Sequence, residues 1–414
     1  MTLLKSAAAA ATGVLLMSAT PGQPAPVKVI RFGHVWDGAR LIDNASVVIE
    51  GTKIVSVGSR VAVPAGAEEI DLRRYTGIPG MIDLHTHMTY YWNGDPATKV
   101  RDPVTPRRTP AQTADLAFEN ARRTLDTGVT TVRDLGASGG ADYMMRDAVN
   151  AGRKVGPRMF VAGQGLSAPR TGTLTPEQWQ QQTAARVQAG SDWIKVYGSR
   201  GSFESVDTTQ TLTFEDMKAI VDAAHAAGKP VAIHSYGASG VHDAVMAGAD
   251  SVEHGIEVDD ATFKEMVKRG TVWVPTIDHN RYYVDAKDQY GFKPETIAPL
   301  QDYIEKNFEA TKRAFKLGVK LGLGSDAVYS GFGQNTGELR WFVKAGMTPA
   351  QALATTTTTA AALLKQADTL GRIAPGFAAD LVAIEGDPLK QIEDVITGVR
   401  WVMKDGTVVM DKRR

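Results

Sequence analysis

The stretch Pro79 to Met88, "PGMIDLHTHM", places His85 and His87 one residue apart at the end of a short apolar run. The chain has only eight histidines. Residues i and i+2 of a strand face the same side, so both imidazoles can be offered to one point, as a metal ion requires. Further residues able to do chemistry end other apolar runs: Lys195 in "DWIKVYGS", His234 in "PVAIHSYG", His254 in "DSVEHG" and Asp326 in "KLGLGSDA". Four histidines, a lysine and an aspartate make a donor set of nitrogen and oxygen. The chain has no cysteine, which excludes disulfides and thiolate ligands.

A lysine suits such a set only as the free amine. Burial and nearby divalent cations disfavour its ammonium form and lower its pKa. Reaction of the amine with carbon dioxide would give a carbamate on Lys195, an anion with two oxygens able to bridge two metals.

The elements that must position these groups follow from the hydrophobic rhythm. Eight strand-like runs, "GMIDLHTH", "VTTVRDLG", "RMFVAGQG", "DWIKVYGS", "PVAIHSYG", "DSVEHG", "VWVPTIDHN" and "KLGLGSDA", are separated in many places by helical stretches. Among these are Ala111 to Asp126, Phe214 to Ala227 and Pro294 to Leu317. Eight β/α units predict a (β/α)8 TIM-like barrel, with the site at the C-terminal ends of its strands. We expect that barrel over residues 77–370. Short β-like runs at both ends predict one small β-sandwich from residues 26–76 and 371–414. The threonine run Thr355 to Thr359 is expected in a helical stretch without chemistry.

Residues 1–25 differ from the rest: Lys5, an apolar stretch from Ala7 to Met17, then small residues and prolines. That order predicts a signal peptide and a periplasmic or secreted protein, with no stable membrane anchor. At 414 residues the chain can bury a large core. Its 46 basic and 46 acidic residues balance, so nothing points to nucleic acid. The expected partners are a small-molecule or dipeptide substrate and further copies of the same chain.

The motifs "GMIDLHTH", "GVTTVRDLG", "WIKVYGS", "VAIHSYG", "SVEHG", "GSDA" and "LGRIAPGFAADLVAIEGDPL", in this order, resemble the amidohydrolase superfamily. The similarity is to its binuclear, lysine-carbamate branch of Xaa-Pro dipeptidase-like enzymes and metal-dependent carboxypeptidases, which includes ochratoxin-hydrolysing members. The resemblance implies two divalent metal ions, with zinc the natural choice for these ligands. His85, His87, Lys195 and Asp326 would hold one; Lys195, His234 and His254 the other. It also implies a solvent nucleophile between the metals, with Asp326 as proton shuttle.

Tyr236 and His279 are the preferred substrate-binding pair, because similar members place polar residues there. Arg281, Tyr197 and Arg170 are further candidates for a substrate carboxylate or oxyanion. His34, His225 and His242 are expected to be structural. Many carboxypeptidase-like members carry Gly-Gly-His where this chain has "GLSAPRTGT", so that contact does not transfer. The expected activity is hydrolysis of an amide or peptide bond to an amino acid with a free carboxylate. Alternatives are a lactone, ester or cyclic-amide hydrolase, a deaminase, or a non-catalytic scaffold. Deamination is disfavoured because Ser235, Tyr236 and Gly237, with no Glu, follow His234.

Overall fold

The computed structural model describes residues 27–93 and 108–413. The signal-peptide expectation, on residues 1–25, lies outside the described residues. Among those described, no helix is long and apolar enough to cross a membrane.

Seven of the eight expected runs contain strands, and their neighbours pair in parallel. Met81–Thr86, Val129–Asp134 and Arg158–Val161 form one sheet; Leu166–Ser167, Ile194–Tyr197, Val231–His234, Ser251–Glu253 and Val272–Val274 form another. Most of their residues are buried on both faces, as helix-covered parallel strands require.

Backbone contacts link the two sheets. Asp192 N–H donates to Val161 O at 2.8 Å on one side. On the other, the run Lys320 to Ala327 bridges Trp273 through Leu321 and Thr86 through Ala327. The architecture is a mixed α/β fold consistent with a TIM-like barrel.

The eighth run makes only these isolated bridges. A Cβ on Gly322 would lie 2.5 Å from Leu84 Cδ1, and one on Gly324 2.4 Å from Val274 Cγ1. Glycine at both positions therefore lets this segment approach the neighbouring strands more closely than any side chain would permit.

Helices cover the outside, and several begin with reciprocal caps. Thr109 and Gln112 cap Pro110–Asp126, Thr175 and Gln178 cap Pro176–Gln188, and Thr213 and Asp216 cap Phe214–Ala226. The threonine run departs from its expectation. Helices Pro349–Thr355 and Thr358–Leu363 are separate, and the backbone between them turns inward. There Ile82 N–H donates to Thr356 O at 2.7 Å, and Thr356 Oγ1 donates to Ile82 O at 2.8 Å. β-Branching and hydroxyl competition weaken the helix where the strand Met81–Thr86 offers a better partner.

Both chain ends build one sheet of eight strands, seven in a single path and Leu41–Asp43 off it, paired antiparallel to Val27–Trp36. Val27–Trp36, Ser46–Glu50 and Lys53–Gly58 come from the front and Leu381–Ile384, Val399–Lys404 and Thr407–Asp411 from the back. Glu68–Pro79 joins the halves by pairing parallel to Val27–Trp36 and antiparallel to Leu381–Ile384. Phe32, Ile49, Leu381 and Trp401 are at the centre of its core.

Candidate metal centre

His234 ends Val231–His234 and His254 follows Ser251–Glu253, while Lys195 lies inside Ile194–Tyr197 and Asp326 in the segment of isolated bridges. His85 lies within Met81–Thr86 and His87 just beyond it, both buried, with ring centroids 5.3 Å apart. Ligand atoms of His85, His87 and Asp326 all lie within 4.8 Å of one another. Asp326 Oδ1 is 3.4 Å from His85 Nε2 and 3.1 Å from His87 Nε2. The rings of His234 and His254 are 4.6 Å apart, and His254 is 5.2 Å from His85. Lys195 is buried, its Nζ without a hydrogen-bond partner.

The protonation states suit cation binding. Burial and then Lys195 lower the pKa of His85 to about 4 and of His234 to about 3. Burial pushes Lys195 down to about 8, against the attraction of Glu253 and Asp326. Burial would raise the Asp326 carboxyl, but His279, His85 and His87 hold it well below the usual range. Neutral imidazoles at His85, His234 and His254, a carboxylate and an easily deprotonated amine are forms that bind metal, whereas His87, against the pull of burial, is raised by Asp326 and would give up its proton to a cation. The buried His85 Nε2 and Lys195 Nζ, both without hydrogen-bond partners, supply the structural test: this donor set fits divalent cations.

A second layer, not recognised in the sequence, orients the ligands. Glu253 receives His85 Nδ1 at 2.9 Å, Arg133 Nη2 at 2.8 Å and Ser251 Oγ at 2.5 Å. Arg133 is fully buried against the Trp193 ring. Burial works to raise Glu253, yet Arg133 and His85 bring it to about 2. His87 Nδ1 meets Gly136 O at 3.1 Å, and His254 Nδ1 meets Thr276 Oγ1 at 2.7 Å. Asp83, two residues before His85, accepts from Ser325 N at 2.9 Å and Asn335 Nδ2 at 2.9 Å. Position i−2 of the histidine strand was the available clue to Asp83. The glutamate preceding His254 was the clue to Glu253, though strand alternation turns it away from that ligand.

Glu253→Gln is expected to destabilise the fold by about 3–5 kcal/mol, because Arg133 would keep a buried charge without its counter-ion. Urea unfolding measures this, and a loss under about 1 kcal/mol would show that the pair is not needed.

The cavity over these groups is about 280 Å³ and is lined by His87, Lys195, His234, His254, His279 and Asp326 with Tyr90, Tyr197, Tyr236 and Phe203. His279 belongs to the helix Ile277–Asp285 rather than to a strand end, and its Nε2 is 3.2 Å from Asp326 Oδ2. Tyr197 and Tyr236 flank His234, with ring centroids 5.7 and 5.1 Å away. The two arginines are elsewhere. Arg281 is held by Asp278 at 2.8 Å and Asp285 at 2.7 Å, and Arg170 is exposed; neither lines the cavity. A helical turn had formed around Arg281, and i,i+3 and i,i+4 carboxylates captured it. His34, His225 and His242 pair with Asp43, Asp250 and Thr262, away from the cavity.

Residues 76–409 match the amidohydrolase family. The chain belongs to the amidohydrolase family. It is an enzyme, a hydrolase. Ochratoxinase from Aspergillus niger is 26% identical over 410 residues, covering 89% of this chain and 83% of that protein. A solved Xaa-Pro dipeptidase with bound methionine in its active site is 31% identical, with a TM-score of 0.82 over 92% of this chain and 99% of that one. A prolidase complexed with N-methylphosphonate-L-proline is 30% identical, with a TM-score of 0.81 over 93% and 100%. The family is metal-dependent, in keeping with the His85, His87 and Asp326 cluster of this amidohydrolase.

Proposed function

We propose that this amidohydrolase is a binuclear enzyme cleaving the amide or peptide bond to an amino acid with a free carboxylate, as in dipeptides and N-acyl amino acids. An ochratoxin-type phenylalanine amide falls in the same class. The observation that carries the reading is Lys195 Nζ, buried and without a hydrogen-bond partner, lining the same cavity as His87, His234, His254 and Asp326. The strands are taken as a closed (β/α)8 barrel beside a small sandwich.

His85, His87, Asp326 and a carbamate on Lys195 would hold one ion; the carbamate, His234 and His254 would hold the second, both preferably zinc. When bound, the two ions would acidify water and polarise the scissile carbonyl. Asp326, kept ionised by its histidines, orients the attacking water and takes its proton. It then delivers that proton to the leaving nitrogen, so that amide and water become acid and amine. His279, 3.2 Å from Asp326 Oδ2, steadies the charged carboxylate before it takes the proton and again after it has given it up. No side-chain nucleophile is required.

Tyr236 and His279 are the polar groups of the cavity suited to a substrate carboxylate, while Tyr90, Tyr197 and Phe203 offer apolar walls. A cavity of about 280 Å³ suits a ligand of dipeptide size. Among the described lining residues none is an arginine, which favours, as a second reading, an ester or lactone hydrolase with no carboxylate requirement. One comparison separates the two. Amidating the substrate's free carboxylate should lower kcat/KM at least about tenfold, because a buried partner is left unpaired. Equal rates on acid and amide, or faster turnover of lactones, would reject the peptide reading and leave the metal chemistry standing.

A further inference from the structure

Three residues around the centre have left-handed backbones although none is glycine: His254 at φ 68°, Thr276 at φ 53° and Asp326 at φ 47°. For a β-branched residue such as Thr276 this conformation is strained, and it persists only where neighbours impose it. Thr276 immediately precedes the helix Ile277–Asp285 and has no side-chain capping bond to it, since its hydroxyl is taken by His254 Nδ1 at 2.7 Å. The first N–H groups of that helix are instead satisfied from a distant part of the chain. Glu338 Oε1 accepts from Ile277 N at 2.9 Å and Glu338 Oε2 from Asp278 N at 2.7 Å. On the other side of the bend Asn307 Nδ2 donates to Pro275 O at 2.8 Å.

Glu338 is itself buried, 1% exposed. Its place depends on close approach: a Cβ on Gly337 would lie 2.0 Å from Asp278 Oδ2. The bend it holds feeds the centre in two directions, backwards through Thr276 to His254 and forwards through the first helical turn to His279 and Asp326.

We propose that Glu338 is a positioning residue for the metal centre. By clamping the two leading N–H groups of Ile277–Asp285 it keeps Thr276 left-handed, His254 in the tautomer whose Nε2 is free, and His279 against Asp326. The proposal rests on the metal-dependent reading given above.

The test uses Glu338→Gln, which keeps the shape but turns an amide N–H toward one helix N–H, with Thr276→Val and Thr276→Ser beside it. Zinc affinity is read by chelator competition, and the His254 tautomer by ¹⁵N resonances of histidine-labelled protein. We expect Glu338→Gln and Thr276→Val each to weaken zinc binding at least about tenfold. Both should also lose the Nδ1-protonated signature of His254, whereas Thr276→Ser, which keeps the hydroxyl, should preserve both. In steady-state kinetics kcat should fall with KM little changed. Wild-type zinc affinity and an unchanged His254 signature in folded Glu338→Gln would overturn the proposal. So would a Thr276→Val that behaves as wild type, even if Glu338→Gln does not fold. A wild-type protein that binds no zinc would defeat the metal reading, while the tautomer measurement would still decide the clamp.

Discussion

Asp326→Asn is expected to lower turnover by at least about a hundredfold, the scale of a lost general acid–base group, with substrate still binding. The reasoning is geometric. Asp326 touches His85, His87 and His279, so its carboxylate is where a proton can be taken and returned. An amide of the same shape keeps the packing but cannot accept that proton, and it is a weaker ligand, so zinc affinity should also fall. Asp326 already has a left-handed backbone, which asparagine tolerates well, so the fold should survive. Single-turnover kinetics on the zinc-saturated variant checks this. Turnover within about threefold of wild type would remove Asp326 from proton transfer.

Lys195→Ala should have the larger effect on metal content. Elemental analysis of the wild-type enzyme is expected to give two ions per chain, and the variant should retain one or none with activity down by more than about a hundredfold. The truncated side chain leaves a void among the ligands, so formate or acetate should restore part of the activity. Lys195→Met, which fills the void with an apolar chain, should not be rescued. A single ion in fully active, loaded wild type would end the binuclear proposal.

The same lysine predicts a pH dependence. Burial lowers its pKa to about 8, and only the free amine attacks carbon dioxide, giving a carbamate and a proton. Reactivation of metal-free protein by zinc at a fixed concentration of dissolved carbon dioxide should therefore speed up as pH rises toward about 8 and level off above it. A rate independent of pH between about 7 and 9 would argue against carbamate formation.

Much of this was legible because strand periodicity is local. The spacing of His85 and His87 alone places both rings on one face, and the apolar runs carrying Lys195, His234, His254 and Asp326 announce three parallel strands and the segment that bridges to their neighbours. The capping signals at Thr109, Thr175 and Thr213 mark helix starts in the same way. The eighth strand was legible as a segment but not as a set of isolated bridges. Its irregularity comes from what Gly322 and Gly324 meet across space.

By itself, then, the sequence determined which residues could bind a metal, the absence of thiolate chemistry, the alternation of β and α elements, and membership of a family. Tertiary structure alone decided which polar groups support those ligands and which merely stand nearby. Glu253 reaches Arg133 over 120 residues, and Glu338 reaches Ile277 over 61. Arg281, beside His279 in the chain, is turned into a helical ion pair and misses the cavity altogether. Spacing along a chain specifies direction within one element. Partners drawn from separate elements are set by how those elements pack, and buried charge makes the pairing obligatory only after the packing has brought the groups together.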